Sequence, residues 1–224
     1  MEIKMGGILK STWEMLHDGR FLKKALMIAC PVALQGMLNT IVNMVDTLMI
    51  GGLGSTAIAA VGLANKVFFV FSLLVFGIVS GGGILAAQFW GSGDVKNIRK
   101  VLGLCVMLAM VGAMFFVVPA LTAPRMVMRI FTTSEGSIEL GAKYLRIAAL
   151  SYPFIALTNV YVAMLRATNK VVFPVICSCI AIVVNICLNY VLIFGKFGAP
   201  TMGVAGAACA TLTARCIEVT LVLF

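Results

Sequence analysis

Eight residues of the chain are acidic, and one of them sits where water is hardest to reach. Asp46 interrupts a run built otherwise of Leu, Ile, Val and Met, a setting in which a carboxyl group can carry a proton or hold a cation. Gln35, Asn39, Asn43 and Asp46 follow one another at steps of four, four and three, so on a helix they form a single polar stripe. A carboxyl group in hydrocarbon costs at least about 2.5–3.5 kcal/mol, so this stripe must face protein or water. The plainer reading of Asp46 is a capping or packing role, because Gly51 and Gly52 close the run nearby.

A later apolar run repeats the device with Asn185 and Asn189, one turn apart on one face. Asparagine offers a carbonyl oxygen to a cation and amide hydrogens to a carboxylate, so a site shared with Asp46 is coherent for sodium or a proton. Hydrogen bonding between helices, at about 1 kcal/mol, is the alternative for the two asparagines. Glu218 is the other acid inside an apolar run, and Arg215 three residues earlier can neutralise it as a structural pair.

The elements that hold these residues follow from composition. With 62% hydrophobic and 11% charged residues and a mean hydropathy of +1.09, the chain cannot coat a soluble globule. A helix needs about 20 apolar residues to cross a bilayer, and six such spans can be drawn: Ala25 to Ile50, Ala57 to Gln88, Val101 to Leu121, Leu140 to Leu165, Val171 to Phe194 and Gly203 to Phe224. None alternates with the period of two that barrel strands need, so the predicted fold is an all-α integral membrane bundle. Gly81, Gly82 and Gly83 suggest a bend, a tilt or a protruding end in the long second span. In the sixth, Gly203, Gly206, Ala207 and Ala210 form a small-residue surface for close packing.

Residues 1–24 form a cytoplasmic leader, in which Ile8, Leu9, Trp13, Leu16 and Phe21 among basic residues suit a short interfacial helix as well as an unfolded segment. No cleavable secretory signal is expected there. Lys and Arg gather in the leader and in the second and fourth connections, which places both termini in the cytoplasm. That topology also accounts for the net charge of +9 and leaves no need for a nucleic-acid partner. The seven cysteines all fall in predicted spans without metal or redox spacing, and the one histidine, His17, lies in the leader. No nucleophile elbow, phosphate loop or metal-ligand cluster appears, so neither an enzyme nor a cofactor is predicted.

Several stretches carry a more specific signal. They are Val45-Asp46-Thr47-Leu48-Met49-Ile50-Gly51, then Ala86 to Asp94, Leu165 to Lys170, Asn185 to Gly195, and Gly203 to Ala208. In order and spacing the chain resembles the multidrug and toxic compound extrusion (MATE) family from its first span to its last. The resemblance implies one lobe of a two-lobed transporter in a cell membrane, that of a bacterium. It implies a proton- or sodium-driven antiporter that exports amphipathic or cationic drugs and toxic compounds. Its cation site would match Asp46, Asn185, Asn189, Ala207 and Thr211, with any sodium held at Asp46. Several members have an aspartate where this chain has Asn189, and the loss of that carboxylate tilts the expectation toward protons. Six spans are one lobe, so a truncated frame missing the second lobe, or a half-size protein that pairs with its own copy, is expected. The alternatives are a lipid-linked oligosaccharide flippase of the same wider superfamily, a passive pore, and a non-transporting membrane fragment.

Overall fold

The computed structural model describes residues 19–198 and 200–224. Among them the chain forms α1 (Gly19–Gly51), α2 (Ser55–Gly91), α3 (Val95–Thr122), α4 (Pro124–Arg129), α5 (Glu135–Ala148), α6 (Tyr152–Ala167), α7 (Val172–Phe194) and α8 (Val204–Leu223). Five stretches are long and apolar enough to cross a membrane: α2, α3, α5 with α6, α7 and α8. With the 33-residue α1 they make a six-helix transmembrane bundle.

The breaks between helices have local causes. α5 and α6 form one crossing joined by a tight turn at Ala149–Ser151, where Pro153 has no amide hydrogen to continue the helical ladder. Gly93 takes a positive φ of 74°, and Asp94 then caps α3 by accepting from the backbone and side-chain nitrogens of Asn97 at 3.1 and 2.6 Å. α7 ends where Gly195 turns left-handed at φ 66°.

The principal core is shared by α2, α3, α5 and α6. Phe71 lies flat on Tyr152 with ring centroids 4.6 Å apart, and both are almost fully buried. Around them Ala64, Ala86, Ala109, Ala113 and Ala156 are sealed, and these small side chains let the backbones approach closely. Large apolar residues such as Phe76, Val111 and Phe115 point outward, as a lipid solvent permits. A smaller cluster of Ile50, Ala57, Val61, Ile193, Val204 and Ala207 ties the end of α1 to the starts of α2 and α8 and the end of α7.

Several expectations shift. α1 runs from Gly19 through the predicted first span, so residues 19–24 of the predicted leader are helical, whereas residues 1–18, most of the proposed interfacial helix, lie outside the described part. α2 continues unbroken through Gly81, Gly82 and Gly83 to Gly91, because the middle glycine is a contact point: a Cβ on Gly82 would strike the Cys105 sulfur of α3. At 37 residues and about 1.5 Å each, α2 exceeds a 30 Å hydrocarbon layer by far, so it tilts or protrudes. The short helix α4 was not foreseen, its start set by Pro124 at the first helical position.

Candidate functional site

α1 packs mainly against α7, and that contact faces the two polar patterns toward each other. The side-chain nitrogen of Asn189 donates to Asp46 Oδ1 at 2.6 Å and to Asn185 Oδ1 at 3.2 Å. Two acceptors on one side fix the orientation of the amide. Its carbonyl oxygen is then buried with no hydrogen-bond partner, and Asn189 as a whole is 0% exposed. An acceptor so placed can take a hydrogen bond from a water or offer its lone pairs to a cation.

Asp46 borders a cavity of about 540 Å³ walled by α1, α2, α5, α6, α7 and α8. Asn39, Asn43, Asn185, Ala207 and Thr211 share that lining, as do Asn65 and Ser72 of α2 and Tyr144 of α5. Thr211 Oγ1 donates to the Ala207 carbonyl at 3.0 Å within α8, so its oxygen keeps a free lone-pair side. Asn39, Asn43 and Asn65 are exposed, which makes the cavity open along one flank of α1 and α2.

The structure thus brings Asp46, Asn185 and Asn189 into contact, sets Ala207, Thr211, Asn39 and Asn43 around the same void, and separates Gln35 from them. Gln35 instead donates to Ser178 Oγ at 2.7 Å and accepts from the guanidinium of Arg166. The stripe is one face of α1, but eleven residues of helix put Gln35 about 16 Å along the axis from Asp46. Ser178 was missed, although it lies seven residues before Asn185 and so on the same face of α7. Lys66, exposed in the first third of α2 and one residue after Asn65, is a cation inside the predicted second span that residue spacing did not single out. The Arg215–Glu218 pair forms as predicted at 2.6 Å, with Glu218 buried.

The described residues thus form a helical membrane bundle with a cavity, bordered by Asp46, that is open on one side. Residues 31–191 match the profile of the MatE family, and the chain belongs to that family. It is 33% identical over 195 residues to the "Probable multidrug resistance protein NorM" of Thermotoga maritima, covering 86% of this chain and 42% of that protein. It is 32% identical over 191 residues to the "Probable multidrug resistance protein YoeA" of Bacillus subtilis, covering 81% and 40%. The chain therefore spans about two fifths of the length of these relatives. Among solved structures, a MOP superfamily transporter from Pyrococcus furiosus superposes with a TM-score of 0.81 at 24% identity, covering 89% of this chain and 43% of that one. The outward-facing conformation of a multidrug resistance MATE family transporter superposes equally well, covering 44%. The chain is an integral multi-pass membrane protein with the fold of one transporter lobe.

Proposed function

We propose that this chain is the ion-coupling lobe of an exporter that moves amphipathic or cationic compounds out of the cell in exchange for an inward-moving cation. The observation that carries the reading is the Asp46–Asn189 contact in the open cavity, with the Asn189 carbonyl oxygen buried and unmatched beside it. In this mechanism Asp46 alternates between a protonated or cation-bound form and an ionised form. Asn189 follows that change, because its amide holds the ionised carboxylate best and loosens when the negative charge is masked. The proton is the coupling ion on this reading: one carboxylate with two neutral amides gives a site of single negative charge, which one proton neutralises without a coordination shell.

The open flank lined by Asn39, Asn43 and Asn65 meets a second six-helix lobe, which completes the substrate cavity. With both termini in the cytoplasm, the Asp46 end of α1 faces outward.

The test is dye efflux from vesicles under an imposed proton or sodium gradient. Asp46→Asn should abolish gradient-driven efflux while the protein still inserts and remains folded. Undiminished efflux in that variant refutes the assignment, and efflux that follows a sodium gradient alone refutes the choice of ion.

A further inference from the structure

The cavity that Asp46 borders has a second charged end, where Arg215 and Glu218 of α8 and Ser178 of α7 line the same void. Ser178 lies eleven residues before Asn189 on α7, so its contact with Glu218 is about 16 Å along the helix axes from the contact of Asn189 with Asp46. Arg215, three residues closer than Glu218 to the Ala207 end of α8, is about 12 Å away. Between the two ends the wall is apolar at Ala181, Ile182 and Ala214. Both oxygens of Glu218 are engaged: Oε1 accepts from Ser178 Oγ at 2.7 Å and Oε2 from Arg215 Nη1 at 2.6 Å. The Arg215 guanidinium has five N–H donors, and among the described residues one of its nitrogens is engaged. A second guanidinium backs this end, since Arg166 donates to Gln35 Oε1 and the Gln35 amide donates to Ser178 Oγ at 2.7 Å. Two arginines thus meet one carboxylate, an excess of one positive charge, whereas the Asp46 end holds a carboxyl group and two neutral asparagines.

We propose that Arg215 is a ligand-binding residue of this cavity and receives a carboxylate. The compounds that fit are amphipathic zwitterions, with a cationic group toward Asp46, an apolar body along Ala181, Ile182 and Ala214, and an anionic end at Arg215. The rival is a purely structural ion pair between neighbouring turns of α8. Such a pair is held best when both partners are buried in a two-pronged contact, as the guanidinium fork allows. Here the two side chains differ: Glu218 is 4% exposed, and Arg215 is 36% exposed and lines the cavity through a single-pronged contact. The carboxylate and Ser178 behind it hold the guanidinium in place and leave its other donors facing the void. Walls that displace water make those donors bind an anion more strongly than they would at an exposed surface.

This role rests on reading the cavity as the exporter's substrate site, but it needs neither a gradient nor a coupling ion. Rhodamine 110, a zwitterion through its free carboxylate, and rhodamine 123, its cationic methyl ester, differ at that one group. Fluorescence anisotropy of each dye with the protein in lipid nanodiscs gives the two Kd values. The unmodified protein should bind rhodamine 110 about tenfold more tightly than rhodamine 123, the effect of one hydrogen bond to a charged group. Arg215→Gln should bring that ratio to about one. Because this variant leaves Glu218 buried without its counter-charge, Arg215→Gln combined with Glu218→Gln serves if the single variant does not fold, and should give the same ratio. A ratio near one in the unmodified protein, or an unchanged ratio in whichever of these variants folds, overturns the role of Arg215. Loss of both dyes in equal measure is the structural outcome and overturns it as well. Binding of neither dye by the unmodified protein overturns the substrate reading of the cavity together with it. Efflux by Asp46→Asn bears on the coupling reading alone, so the two can fail separately.

Discussion

Replacing Gly206 with alanine tests how closely α7 and α8 must approach for the site to exist. A Cβ at Gly206 would lie 2.7 Å from the Leu192 carbonyl oxygen, 2.8 Å from its carbon and 3.1 Å from its Cβ. Reaching even the short end of ordinary contact, 3.4 Å, requires the Leu192 oxygen to withdraw by 0.7 Å. That atom is backbone inside α7, and it also accepts from Met202 N at 3.0 Å, so no flexible side chain can absorb the clash. Overpacking of this kind costs about 1–3 kcal/mol. Taking about 2 kcal/mol as the centre of that range, a gain in helix propensity of up to about 1 kcal/mol leaves a net loss of about 1–2 kcal/mol. For a chain of this size that is a Tm lower by about 2–8 °C. Gly77→Ala is the control, because nothing lies within 4 Å of its added methyl group in the middle of α2. Detergent-solubilised variants heated in steps and passed over a sizing column give both midpoints. A Gly206→Ala protein as stable as the unmodified one would refute the close-approach argument. The site should suffer as well, because Leu192 is three residues from Asn189 and Gly206 adjoins Ala207.

Two other substitutions probe the core and the ion site. Phe71→Ala empties the space stacked on Tyr152 and should cost about 3–5 kcal/mol, seen as a large fall in the same heating profile; a small fall would mean that the ring pair does not organise the bundle. Asn189→Asp sets a second carboxylate against Asp46, and two ionised groups at that distance need a cation between them. At alkaline pH sodium should then stabilise the variant relative to choline, by about 2.7 kcal/mol at a hundredfold excess over Kd, with a smaller response in the unmodified protein. An Asn189→Asp protein indifferent to sodium counts against the charge argument for protons.

Much of this was legible from residue spacing. Asn39, Asn43 and Asp46 had to share a face of α1, Asn185 and Asn189 a face of α7, and the cost of burying polar groups in hydrocarbon left few ways to arrange two such faces. The contact between Asn189 and Asp46 is that expectation realised. Gln35 was grouped with Asp46 because periodicity reports direction around a helix and says nothing of depth along it. Its partner Ser178 was in phase with Asn185, but a lone serine in an apolar run carries little signal, since it can bond its own backbone. The three glycines of α2 suggested bending, whereas close packing against Cys105 explains the middle one; glycine serves both ends, and only the neighbouring helix decides between them.

The two polar ties of α1 also set an order of events during synthesis. Gln35 and Ser178 are 143 residues apart in the chain, and so are Asp46 and Asn189. At about 5–20 residues per second, roughly 7–30 s pass between the emergence of α1 from the ribosome and that of its partners. For that interval α1 holds a carboxyl group whose partner amide has not yet been made. Its closure onto α7 therefore follows the emergence of α7, and the packing of α1 is among the late contacts of the bundle.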